Sequence, residues 1–334
     1  MQANYGFGGI APQQYGMMRD AEKKTLRRQS IRAGLCVLAF VLLQYGLLRL
    51  FSGMPAVCAL YNRSDAFANL WEILFYLCSM FVPFLVAYLL MDATEKQEVD
   101  CFCKPTCKAA AILAVISGFF FCTLGDFVTN YLVALLESFG FSLEGGTYET
   151  PANGMQLVFD ILAIGIIPAL VEEFSLHGVV MQPMRRLGDK FAIGMSAFVF
   201  ALMHGNLVQI PFAFIAGIAI GYYVIATDSL WVGIAIHFLN NLYSVILNYL
   251  LEARPTAAET LYNVVNSVTL VAGIVATVCF VKVLQKRVPL QKKVCARSTG
   301  EKVGAYIFTV PMILAILVLI VETSHYVSYT GYVG

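Results

Sequence analysis

The chain has 334 residues, of which 59% are hydrophobic and only 13% charged, and 22 basic against 21 acidic side chains leave a net charge of +1. Soluble globular proteins average roughly 45–50% and 25% on those two measures, and the mean hydropathy here is +0.74. A soluble enzyme, a nucleic-acid binder and a disordered chain are excluded. The composition is that of a polytopic membrane protein.

In chain order, residues 1–30 read as a cytoplasmic disordered tail and 31–325 as a membrane domain with its core at about 155–250. Residues 326–334 read as a second tail. A spanning helix needs about 20 mostly apolar residues. Candidates fall at 31–51, 71–93, 109–136, 155–184, 191–205, 208–226, 230–252, 261–283 and 304–323. The short 191–205 segment makes the count eight or nine, so the fold class expected is an all-α bundle. The basic residues concentrate at 19–32, 96–108, 185–190 and 282–302. Threading the spans from an inside N-terminus puts all four stretches on one side, which the positive-inside rule makes cytoplasmic. The first apolar segment is long enough to span and reads as a signal anchor. The expected location is a bacterial plasma membrane, with the lipid bilayer as a partner and no nucleic acid.

Cys101, Cys103, Cys107 and Cys295 share the cytoplasmic side on this threading. Their spacing matches no strong zinc pattern, so they read as reduced thiols.

Ionisable groups at bilayer depth cost roughly 3 kcal/mol or more and so mark function. Here they are Asp126, Asp160, Glu172, Glu173, His177, His204 and His237, with Asn240 and Asn241 beside the last. Glutamate with histidine is the equipment of general-base catalysis. A second histidine and an amide can donate to an oxyanion. Adjacent helical residues diverge by about 100°, so Glu173 is expected to point partly away from a site that Glu172, His204, His237 and Asn241 share. Glu173 and His177, four apart, can pair. Glu172, His204 and His237 are the side chains that could hold zinc. The expected cofactor is nevertheless none, because His237 and Asn241 are better used as oxyanion donors.

Pro168-Ala-Leu-Val-Glu172-Glu173-Phe-Ser-Leu-His177, Phe200-x-x-x-His204 and His237-x-x-x-Asn241 resemble the three motifs of the CAAX protease and bacteriocin-processing family. The resemblance covers about 160–250. It implies an intramembrane endopeptidase with a conical cavity, acting on a peptide or protein substrate at the membrane. It implies that Glu172 activates water, His204 helps to hold it, His237 and Asn241 face the scissile carbonyl, and Glu173 supports them. One departure stands out, since His177 occupies the position of the motif's arginine. The competing readings are a bacteriocin-immunity or scaffold protein of the same fold and a proton-coupled transporter. No internal repeat favours the transporter.

Overall fold

A computed structural model describes residues 12–100, 102–105, 107–145, 151, 153–284, 290, 293 and 295–331. The expected tail over 1–11, together with Cys101 and residues 332–334, lies outside the described residues. Ten helices carry the architecture: α1 Pro12–Ser52, α2 Asp65–Leu89, α3 Lys108–Ser138, α4 Gly154–Leu187, α5 Asp189–Met203, α6 Ile210–Thr227, α7 Leu230–Ala253, α8 Pro255–Leu284, α9 Thr299–Ile307 and α10 Val310–His325. The all-α membrane bundle expected from composition is what the chain forms.

Seven of these helices are long and apolar enough to cross a membrane, and α9 with α10, bent by 75°, makes an eighth. The fifteen-residue α5 is short of a crossing and is mostly buried inside the bundle. By length and apolarity alone, up to eight of the expected eight or nine spans qualify among the described residues.

Two expectations about the tails are corrected. Residues 12–30 are not disordered, because α1 runs unbroken from Pro12 to Ser52. Leu26, Gln29 and Ser30 are buried along it, so one face of the polar segment packs against the bundle. At the other end, Val327–Tyr329 pairs antiparallel with Phe141–Leu143, Phe141 opposite Tyr329. That ladder ties the end of α3 to the chain leaving α10.

The α9–α10 bend is seated on α1. Ser30 donates its hydroxyl to the carbonyl of Tyr306 and shares a 2.6 Å hydrogen bond with Thr309. A methyl group on Gly34 would come within 2.6 Å of the Met312 backbone nitrogen, so only glycine permits this approach. On the same end of the bundle Glu95 is buried between Arg28 and Arg32 and accepts from Gln29 at 2.7 Å.

The helix α4 decides the site. Asn153 caps its start by accepting from the backbone of Met155 and Gln156. Its interior then departs twice from α geometry, with wider π turns at Ile161–Ile166 and Glu173–Val180. Pro168, between them, has no N–H for the carbonyl four residues back. A third π turn, Leu77–Phe81, interrupts α2 just before Pro83. Such turns are rare and concentrate at functional sites.

Candidate active site

Glu172 and Glu173 stand where α4 passes from α into π geometry. Glu172 Oε1 accepts from the Tyr76 hydroxyl at 2.7 Å, and its Oε2 stands 3.8 Å from His237 Nε2. The other ring nitrogen, His237 Nδ1, is 2.9 Å from Glu173 Oε1. Glu173 Oε2 is in turn 2.7 Å from His177 Nδ1, and His177 Nε2 lies 3.0 Å from the carbonyl oxygen of Gly217. One continuous line therefore runs Tyr76–Glu172–His237–Glu173–His177 across α2, α4 and α7. It ends on the backbone of α6.

Glu173 does not point away, contrary to the 100° argument. It lies at the centre, 1% exposed, with each carboxylate oxygen on a different imidazole. The reason is local. The i→i+5 bonding of the π turn that begins at Glu173 widens the helix and reduces the angle between neighbours, so both glutamates reach His237 from opposite sides of its ring. The pair expected between Glu173 and His177 is present.

The bundle makes room for this line with small residues. A Cβ on Gly233 would lie 2.8 Å from Glu173 Oε2 and 2.6 Å from Val224, and one on Gly221 would lie 3.2 Å from the His177 ring. The His177 backbone carbonyl accepts from Gln182 at 3.0 Å. His177 is fully buried at the end of this line.

His204 ends α5 because Gly205, at φ +67, turns the chain there. Its Nδ1 must carry a proton, since it faces only the carbonyl oxygen of Phe200, at 2.9 Å. In the neutral ring Nε2 is then the acceptor. The Phe200 ring joins His204 to the rest, with centroids 4.8 Å from His204, 6.0 Å from His237 and 6.3 Å from His177. Asn241 lies on α7 four residues past His237 and donates Nδ2–H to the carbonyl of Ile164 at 2.9 Å. One of its two N–H bonds is therefore committed to the backbone of α4. Asp160 lies elsewhere on α4 and accepts from Gln156.

Among the described residues, no three His, Cys, Asp or Glu side chains converge in a way that could hold a metal ion. Glu172, His204 and His237 do not form a zinc set in this arrangement. The loop thiols separate as well, Cys103 donating to the Asp228 carbonyl and Cys295 to that of Leu187.

Residues 154–243 match the family described as type II CAAX prenyl endopeptidase Rce1-like. This stretch of the chain is similar to that family. No curated protein and no solved structure matches the chain. The Rce1-like segment begins at the first residue of α4 and ends in α7, so it contains both glutamates and all three site histidines as well as Asn241. Tyr76 lies outside it, on α2. Sequence reasoning missed Tyr76 because a tyrosine in an apolar span has no signature of its own.

Proposed function

We propose that the protein is an intramembrane endopeptidase of the CAAX type in which Glu172 takes a proton from the attacking water. The observation that carries this reading is the orientation of the Glu172 carboxylate. One oxygen is occupied by Tyr76 and the other is turned to His237 Nε2, whose ring is fixed from behind by Glu173. A half-buried base whose partners are already in place costs little reorganisation when the reaction occurs.

In the proposed reaction water adds to the scissile carbonyl as its proton passes to Glu172 Oε2. The carbonyl oxygen takes the negative charge, with His237 Nε2 and the second N–H of Asn241 as its donors. With Nδ1 directed to Glu173, Nε2 of His237 donates when the ring is doubly protonated. His204 Nε2 accepts the remaining hydrogen of the water. The tetrahedral adduct collapses with cleavage of the C–N bond, and Glu172 returns its proton to the leaving amine. No step uses a metal. The substrate is a peptide tail at the membrane surface, and the basic end of the bundle faces the cytosol.

The test is cleavage of a farnesylated peptide ending in a C-a-a-X sequence by the full chain in lipid vesicles. Wild type should release the tripeptide and Glu172→Gln should not. Equal signals from the two would favour a non-catalytic scaffold of the same fold.

A further inference from the structure

We infer that Tyr76 is a positioning residue for Glu172, an assignment that rests on the endopeptidase reading above. Tyr76 ends the α-helical part of α2, immediately before the π turn at Leu77–Phe81, and its hydroxyl donates to Glu172 Oε1 at 2.7 Å. It comes from a helix that contributes no residue to the three motifs.

Two features of α2 direct the tyrosine at Glu172. Asn69 lies seven residues earlier, on the same face of the helix. Its side-chain amide and that of Gln156 on α4 exchange two hydrogen bonds of 3.0 Å each. A reciprocal amide pair fixes both distance and rotation, so it sets the face that α2 turns toward α4. After Tyr76 the Ser79 hydroxyl donates back to the carbonyls of Phe75, at 2.9 Å, and Tyr76, at 3.3 Å. These bonds secure the end of the turn that carries the tyrosine. The α2–α4 contact is therefore polar at two levels, and its second level is the proposed base.

The consequence is chemical. A glutamate side chain has three torsions, and its two oxygens are equivalent until something distinguishes them. Tyr76 engages Oε1 and leaves Oε2 toward His237 Nε2, 3.8 Å away and beyond direct hydrogen-bond distance. The base is thereby presented through one defined oxygen. Losing that orientation lowers the fraction of molecules in the reactive geometry without altering where a peptide binds.

The experiment is steady-state cleavage of the farnesylated C-a-a-X peptide by full-length wild type, Tyr76→Phe, Tyr76→Met and Glu172→Gln in vesicles, with thermal unfolding of each. Tyr76→Phe keeps the ring and loses the donor. It should lower kcat by about tenfold to a hundredfold, the range for one hydrogen bond to a charged group. KM should stay within about twofold of wild type, and the unfolding temperature should fall by no more than the loss of one hydrogen bond accounts for. Tyr76→Met, which has no donor and a different shape, should show at least the same kcat loss. Wild-type kcat in Tyr76→Phe, with Glu172→Gln inactive, would overturn this assignment and leave the endopeptidase reading standing. A joint loss of kcat, KM and unfolding temperature in both Tyr76 variants would make Tyr76 structural and overturn it too. A wild type no better than Glu172→Gln would overturn the endopeptidase reading and this assignment together.

Discussion

Asn241 donates its side-chain N–H to the carbonyl of Ile164 at 2.9 Å, and Ile164 is the residue four before Pro168. In a regular α-helix that carbonyl would receive the backbone N–H of residue 168, which proline lacks. The last motif residue on α7 thus supplies a bond that the first motif's proline withholds from α4. In hydrocarbon, where water cannot replace it, such a bond joins two helices.

This relationship predicts a coupling. Asn241→Leu should destabilise the protein by about 1–2 kcal/mol, the cost of a buried carbonyl left unpaired. In a Pro168→Ala background a backbone N–H returns to α4, and the same substitution should cost less than half as much. A double-mutant cycle on thermal unfolding in detergent measures this. Additive effects would show that Asn241 does not cap Ile164.

Glu95 gives a pH dependence outside the membrane-spanning segments. Burial alone would raise its carboxyl, but hydrogen bonds from Arg32 and Gln29 and the charges of Arg32 and Arg28 outweigh it and hold it below the ordinary value. A depressed folded value means the group stabilises above the unfolded glutamate value, about 4.3. That contribution disappears as pH falls through the lower folded value. Glu95→Gln should therefore cost about 1–3 kcal/mol at pH 7, and the gap from wild type should narrow below about pH 4. An equal gap at pH 3.5 and pH 7 would contradict the ion-pair assignment.

Cysteine accessibility tests the orientation. Cys103 is exposed at the basic end of the bundle, whereas Cys295 is half-buried and its thiol sits 3.4 Å from the Leu187 carbonyl. Burial also pushes the Cys295 thiol above its ordinary value, which slows its reaction as thiolate. In single-cysteine variants, an impermeant maleimide should label Cys103 in inside-out vesicles and not in intact cells. Cys295 should react more slowly even in the vesicles. Rapid labelling of Cys103 on intact cells would invert the topology.

Much of this was legible because membrane residence simplifies a sequence. Apolar length fixes the spans, and the cost of a polar group in lipid singles out Glu172, Glu173, His204 and His237 without any structure. What was not legible depends on local departures from ideal helices. The orientation of Glu173 follows from a π turn, and no periodic pattern distinguishes a π turn from an α turn in Glu-Phe-Ser-Leu-His-Gly-Val-Val. The helical start of α1 was hidden because Arg and Lys mark a polar segment without saying whether it packs. Tyr76 was hidden because its partner is 96 residues away in the sequence.

The Glu173–His177 pair supplies the last prediction. His177 lies between two acceptors, Glu173 Oε2 and the Gly217 carbonyl, and Glu173 has imidazole on both sides. His177→Phe would keep a ring of similar breadth against Gly221 while leaving one oxygen of a buried carboxylate without its partner. Removing one member of a buried charge pair costs about 3–5 kcal/mol, mostly the penalty on the charge left behind. Adding Glu173→Gln to His177→Phe removes that charge. The double variant should therefore be more stable than His177→Phe alone by at least about 1 kcal/mol, although it differs from wild type at two buried sites. Gly233→Ala bears on the same carboxylate by steric means, since its Cβ would lie 2.8 Å from Glu173 Oε2 and 2.6 Å from Val224. Overpacking of that kind costs about 1–3 kcal/mol, and here it should reduce cleavage more than it reduces the unfolding temperature, because the displaced group orients His237. If His177→Phe and the double variant unfold at the same temperature, Glu173 does not carry the uncompensated charge that this geometry assigns to it.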